Sequence, residues 1–275
     1  MSRSHGRDGE APPPPEPLAV AVADVHAHLD LMGGDVGEAL ALARSVGVTR
    51  AVTIGVDVES SRWAAQVAAE HPGLVAAVGL HPNEAGAGHA TAEALVVIDA
   101  LAALPAVRAV GETGIDHYRT GADGWALQEE SLRSHVEIAR RHGTALVVHD
   151  REAHADVLRV LDDCELPDRV VIHAFSGDVA FAAECAARGW FCSFAGNVTF
   201  KNAGPLRDAL AALPRELVLV ETDAPFLTPH PWRGRPGGPY LVPLTLRAMA
   251  EARGEHVDDL ARAVDATTTR VFGDF

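Results

Sequence analysis

Four histidines and two carboxylates fall at places in the chain where they could meet. His26 and His28 alternate with Val25 and Ala27 behind a short apolar run. Glu112 closes the run 107–111, His149 closes 145–148 and His173 closes 170–172. Asp223 follows the run 217–220, two residues beyond Glu221. On an extended backbone residues i and i+2 share a face, so His26 and His28 point the same way. Each residue has a plainer reading alone: a hydrogen-bonded structural histidine, or a carboxylate capping the next helix. Those readings do not explain why all of them stand at the ends of apolar runs. Several buried ionisable groups at one point would be very costly without a cation among them. The set therefore predicts a metal site.

Imidazole and carboxylate ligands suit Zn, Mn, Fe or Co and, with more oxygen ligands, Mg. Six ligand groups exceed what one tetrahedral ion needs while keeping an open position. Two divalent ions roughly 3.5–4 Å apart, bridged by one carboxylate, use them economically. Such ions lower the pKa of a bound water to about 7 and can spread charge from a phosphoryl oxygen. Some two-ion barrel hydrolases bridge with a carbamylated lysine on strand four. The only lysine here, Lys201, follows the seventh apolar run, so Glu112 is left for the bridge.

The elements that must position these groups alternate. Strand-like runs lie at 19–23, 51–56, 74–80, 107–111, 145–148, 170–172, 190–194 and 217–220. They are nearly continuous in β-branched and aliphatic residues, as strands buried on both faces are. Helical spacing fills 37–45, 60–70, 91–103, 128–142, 153–161, 179–188 and 205–213, with two more helices at 243–253 and 257–271. Alternation of this kind predicts βα units on a parallel sheet, and about eight strands in this length predicts an α/β TIM (β/α)8 barrel. A doubly wound open sheet is the rival, but the Gly-rich phosphate loop it would carry after strand one is missing. In a barrel the C-terminal strand ends surround one mouth, and the six groups would converge there.

The chain has 275 residues with 48% hydrophobic and 22% charged, which is globular and excludes a disordered or fibrous chain. Its net charge of −15 excludes a basic coat for nucleic acid, so any phosphate site must be local. Cys164, Cys185 and Cys192 form no CxxC spacing, which suits a reducing, cytoplasmic setting. Residues 1–17 are polar with a proline run and read as a flexible tail rather than a signal peptide, leaving 18–275 as one domain. No stretch is long enough to span a bilayer, so no membrane partner is expected, and no obligate protein partner is evident.

Six motifs carry a resemblance: Asp24-Val25-His26-Ala27-His28-Leu29, Gly79-Leu80-His81-Pro82, Gly111-Glu112-Thr113-Gly114-Ile115-Asp116, Val148-His149-Asp150-Arg151, His173-Ala174-Phe175-Ser176-Gly177 and Glu221-Thr222-Asp223-Ala224-Pro225-Phe226-Leu227. In this order, the set resembles the TatD family of metal-dependent deoxyribonucleases, within the amidohydrolase superfamily, over about 22–272. The resemblance implies that His26, His28 and Asp223 hold one ion, that His149 and His173 hold a second, and that Glu112 bridges them. Asp223 would also act as general base, with Glu221 the fallback. His81, Asp116, Arg151 and Ser176 match positions that line the family's pocket. The implied activity is exonuclease-type, 3′–5′ hydrolysis of DNA at single strands or ends. Arg151 would orient the phosphate, and Arg233 and Arg235 are further candidate contacts. The chain departs from the family pattern at His117, at Gly237 in the loop after strand eight, and at 267–272, where an Asn usual before Arg270 is missing. Alternatives are hydrolysis of another ester or amide, such as D-aminoacyl-tRNA, and a non-enzymatic metal-stabilised binding protein.

Overall fold

The strands are short runs of small and branched aliphatic side chains that vanish from solvent on both faces; Val22, Ala76, Ala77, Val78, Ala109, Val110 and Leu146 are all essentially inaccessible. The computed structural model describes residues 9–275, and there the strands are β1 (Val22–Ala27), β2 (Val48–Ile54), β3 (Leu74–Val78), β4 (Val107–Asp116), β5 (Ala145–Arg151), β6 (Val170–Ile172), β7 (Phe191–Phe194) and β8 (Val218–Val220). They form one eight-stranded sheet in the order β1 to β8, with helices between successive strands. A parallel bridge between Ala27 and Ala224 brings the first strand beside the end of the last. This is the (β/α)8 barrel class expected from the alternation.

By contact the chain divides into two units: one of 9–52 with 177–270, the other of 53–176 with 271–275. The first holds β1, most of β2, β7 and β8. In it β7 and β8 pair in parallel with Phe194 beside Val220. Residues 9–17, read from sequence as part of a flexible tail, are here tied to this unit. The Tyr240 hydroxyl donates to the Pro12 carbonyl at 2.7 Å, and the Arg235 and Arg247 guanidinium groups donate to the Glu10 and Glu16 carbonyls. The remainder of the proposed tail, 1–8, lies outside the described residues.

The second unit holds β3 to β6. Parallel pairing of β4 with β5 runs past the apolar core, setting Gly114 beside His149 and Asp116 beside Arg151. Both strands are therefore longer than their apolar runs predicted, because the motif residues themselves are paired. Gly114 permits this at a φ of 143°, where a Cβ would stand 2.0 Å from the His149 carbonyl oxygen. The helix Ala122–His142 starts earlier than its apolar spacing suggested and ends on Gly143 in the left-handed region.

That helix supports the strand ends with two buried polar side chains. Gln128 accepts from the Asp116 N–H at 3.1 Å and donates to the Pro82 carbonyl at 3.0 Å. His135 accepts from the Leu80 N–H through Nε2 at 3.0 Å and donates from Nδ1 to the Ser131 carbonyl at 2.7 Å. Burial pushes the His135 imidazole down from 6.5 to about 4, against a smaller upward pull from Ser131. Its folded pKa is depressed, so its contribution is complete above the unfolded value of 6.5. It is lost as pH falls toward 4, because only the unfolded chain takes up the proton in that window. The loss amounts to roughly 3 kcal/mol. Denaturant titrations at pH 7 and 4.5 should show a steeper stability loss for wild type than for His135→Gln, and equal losses would remove His135 as the source.

Candidate metal centre

In the first unit, His26 is the penultimate residue of β1 and His28 lies just beyond the strand. Their backbone is locked to the segment after β8: the Asp223 N–H donates to the His26 carbonyl at 2.9 Å, and the His28 N–H to the Ala224 carbonyl at 2.7 Å. Asp223 adopts a φ of 55°, a left-handed conformation that Asp tolerates better than most residues. This turns its carboxylate toward the two histidines. Its Oδ1 is 3.4 Å from His28 Nε2 and 3.8 Å from His26 Nε2. The three side chains offer donor atoms that all lie within 4.8 Å of one another.

Asp24 sits below them on the same face of β1. Its carboxylate accepts from the His26 N–H at 3.2 Å, the Thr222 N–H at 2.9 Å and the Thr222 hydroxyl at 2.5 Å. The Thr222 oxygen in turn accepts from the Ala224 N–H. Complete burial raises the Asp24 carboxyl to about 7 despite those hydrogen bonds, with neighbouring Glu221 adding to the rise. Asp24 thus ties the strand carrying His26 to the turn carrying Asp223. This role was not expected from sequence, although the i−2 spacing from His26 was a signal for it.

In the second unit the centre is Glu112, buried after Gly111 in β4. Its Oε1 lies 2.7 Å from His149 Nδ1, 2.8 Å from His173 Nε2 and 3.3 Å from His81 Nε2. Burial pushes its carboxyl up, but the charges of His173 and His81 and the hydrogen bonds of His149 and His173 outweigh this and hold it well below the usual range. His81 caps the short helix Pro82–Gly86, with Nδ1 accepting from the Asn83 N–H, and so turns Nε2 toward Glu112. The His81 ring, expected to line the pocket, thus faces Glu112.

Asp116 is only 1% exposed. Its Oδ1 accepts from the Arg119 N–H at 2.8 Å, and its Oδ2 faces His149 Nε2 at 3.4 Å. Burial pushes the Asp116 carboxyl up, yet the His149 and Arg119 hydrogen bonds and the Arg151 charge bring it to about 2. His149 is burdened by burial as well, but its hydrogen bonds to Asp116 and Glu112 raise its pKa. The His149 Nδ1 atom makes the 2.7 Å hydrogen-bond contact with Glu112, while Nε2 faces Asp116. His173 precedes Ala174 at a φ of 44°. Ser176 is exposed, and among the described residues no hydrogen bond ties it to the cluster. Arg151 lies over the Tyr118 ring at 4.0 Å. Arg233 lies over Phe200 at 4.3 Å, and Arg235 is engaged with Glu10.

The donors fit divalent metal. They are imidazole nitrogens and carboxylate oxygens at mutual reach: within the first unit His26, His28 and Asp223 form one such group, and within the second His81, Glu112 and His149 form another. The thiols of Cys164, Cys185 and Cys192 take no part in either.

Residues 23–273 match the family described as TatD related DNase. A metal-dependent hydrolase TatD from Mycobacterium tuberculosis is 42% identical over 258 residues, covering 91% of this chain and 97% of its own. A 3′-5′ ssDNA/RNA exonuclease TatD from Citrobacter rodentium is 34% identical, covering 87% and 92%. The crystal structure of YjjV, a TatD homologue from Escherichia coli, superposes with a TM-score of 0.86 at 27% identity, covering 91% and 97%. The chain belongs to the TatD family of metal-dependent hydrolases, whose reaction is the hydrolysis of ester bonds. Among the described residues no helix is long and apolar enough to cross a membrane.

Proposed function

We propose that this hydrolase is a nuclease that removes nucleotides from the end of a single nucleic-acid strand, DNA in the first place, with 3′–5′ polarity and two divalent ions. The observation that carries the reading is the Glu112 carboxylate oxygen, within 3.3 Å of three imidazoles beside a strand that ends in Arg151. His26, His28 and Asp223 would hold one ion, and His149 and His173 the other, with Glu112 shared. Ions there would supply an acidified water and neutralise charge on a phosphoryl oxygen.

The chain's own groups do the rest. Arg151 offers a planar fork of N–H donors that matches two phosphate oxygens. The Asp116 carboxylate, facing His149, helps hold that ring in place, and the Asp223 carboxylate would take a proton from the attacking water. Asp24 and Thr222 hold the Asp223 turn in place. The exonuclease named among the relatives acts on single strands of DNA and RNA. A net charge of −15 opposes long-range attraction to any polyanion, so contacts with phosphate should be few and local. The unpaired thiols suit the reducing cytoplasm.

Elemental analysis of the purified protein, coupled to turnover of a single-stranded oligonucleotide and of a D-aminoacyl-tRNA, tests this reading. About two metal equivalents and release of 3′-terminal nucleotides are expected. Turnover of the aminoacyl ester alone would transfer the site to that substrate. Loss of fold on chelation with no turnover of either would make the ions structural.

A further inference from the structure

Tyr118 follows the Asp116 motif by two residues, and its side chain is 59% exposed. An isolated exposed aromatic is ordinary on a protein surface and proves nothing alone. Three further observations single this one out. The Arg151 guanidinium lies over the ring at 4.0 Å, so the tyrosine fixes the side chain best suited to phosphate. The backbone beneath it is rigid: the His117 N–H donates to the Arg151 carbonyl at 3.0 Å, and the His117 ring stacks on Trp125 at 3.9 Å. Trp125 is anchored in turn by its indole N–H to the Thr120 carbonyl at 3.0 Å. Finally, Tyr118 lies in the turn that follows β4 and Arg151 ends β5, and these paired strands carry Glu112 and His149.

A chain of net charge −15 gains little from long-range attraction to a polyanion. Affinity for a strand end must come from contacts that do not depend on charge, and stacking of a base on an aromatic ring is such a contact. We propose that Tyr118 is the stacking platform for the terminal nucleobase, with Arg151, held against the same ring, taking the adjoining phosphate. Every base has a π-face, so the platform reads the presence of a base and not its identity. The inference rests on the nuclease reading above and adds to it the residue that receives the base.

The test uses the metal-loaded enzyme and two short single-stranded DNAs that differ only at the 3′-terminal nucleotide, one bearing its base and one abasic. Initial release of that nucleotide is followed for wild type, Tyr118→Phe and Tyr118→Ala. Removing the base should raise KM for wild type roughly tenfold, within the range that loss of one stacked base produces. The ratio should persist in Tyr118→Phe, which keeps the ring, and fall to about one in Tyr118→Ala. A general loosening of Arg151 or of the fold would change both substrates alike and leave the ratio intact. An unchanged ratio in Tyr118→Ala, or a wild-type ratio near one, overturns the proposal while leaving the nuclease reading in force. Failure of wild type to cleave either strand, with another ester hydrolysed, overturns the nuclease reading and this inference with it.

Discussion

Glu112→Gln should leave a folded protein that carries about one metal equivalent fewer and has lost turnover by roughly 10³ or more. The glutamine has the same shape, so the β4 backbone and its pairing to β5 need not move. What changes is charge. One carboxylate oxygen now faces imidazole nitrogens of His149, His173 and His81 at 2.7, 2.8 and 3.3 Å. A neutral amide offers no anionic oxygen to a cation, and its N–H face repels one. Charge stabilisation by a bound ion is worth several kcal/mol in a transition state, and about 4 kcal/mol corresponds to a factor near 10³. The fold should survive because the amide keeps the side chain's shape and still offers a hydrogen-bonding oxygen to the surrounding imidazoles. Elemental analysis after dialysis, a thermal melt and oligonucleotide turnover measure the three parts separately. Full metal content with wild-type turnover would remove Glu112 from the centre.

The barrel was legible because its strands are buried on both faces, and such strands write themselves as continuous apolar runs, here of three to seven residues. The same property hid their ends. β1 runs over Val22–Ala27 instead of 19–23, because Asp24 and His26 are polar residues inside a buried strand, tolerated through Thr222 and the turn at Asp223. β4 and β5 likewise run on to Asp116 and Arg151, where no apolar run marks them. Sequence showed the histidines and carboxylates at the ends of apolar runs but not which polar neighbours each would face. His81 and Asp116, read as pocket residues, turn out to face Glu112 and His149. That distinction depends on which ring nitrogen a backbone N–H or carboxylate engages, and spacing along a chain does not encode it. His135 and Gln128 were invisible for a related reason. Each is one polar residue on the buried face of a long helix, and its partner, Leu80 or Asp116, is set by packing.

Asp223→Asn separates holding a metal from moving a proton. The left-handed backbone at φ 55° is one that asparagine adopts as readily as aspartate, so the turn that joins Ala224 to His28 should persist. The amide oxygen can still face His28 and His26, now 3.4 and 3.8 Å from Oδ1, and part of the metal should remain. An amide cannot accept a proton from water near neutral pH. Turnover should therefore fall by roughly 10²–10⁴, the range typical for removal of an acid–base group, with KM for the oligonucleotide little changed. Turnover measured with metal saturating gives a readout that metal loss alone would not: the deficit of Asp223→Asn should persist there. Asp223→Ala, which loses both the ligand oxygen and the residue suited to the left-handed turn, should lose metal as well as rate. Unchanged turnover in Asp223→Asn would place the base elsewhere. Glu221, buried two residues earlier with its N–H on the Phe194 carbonyl, is then the group to examine, and Glu221→Gln should show the fall that Asp223→Asn did not.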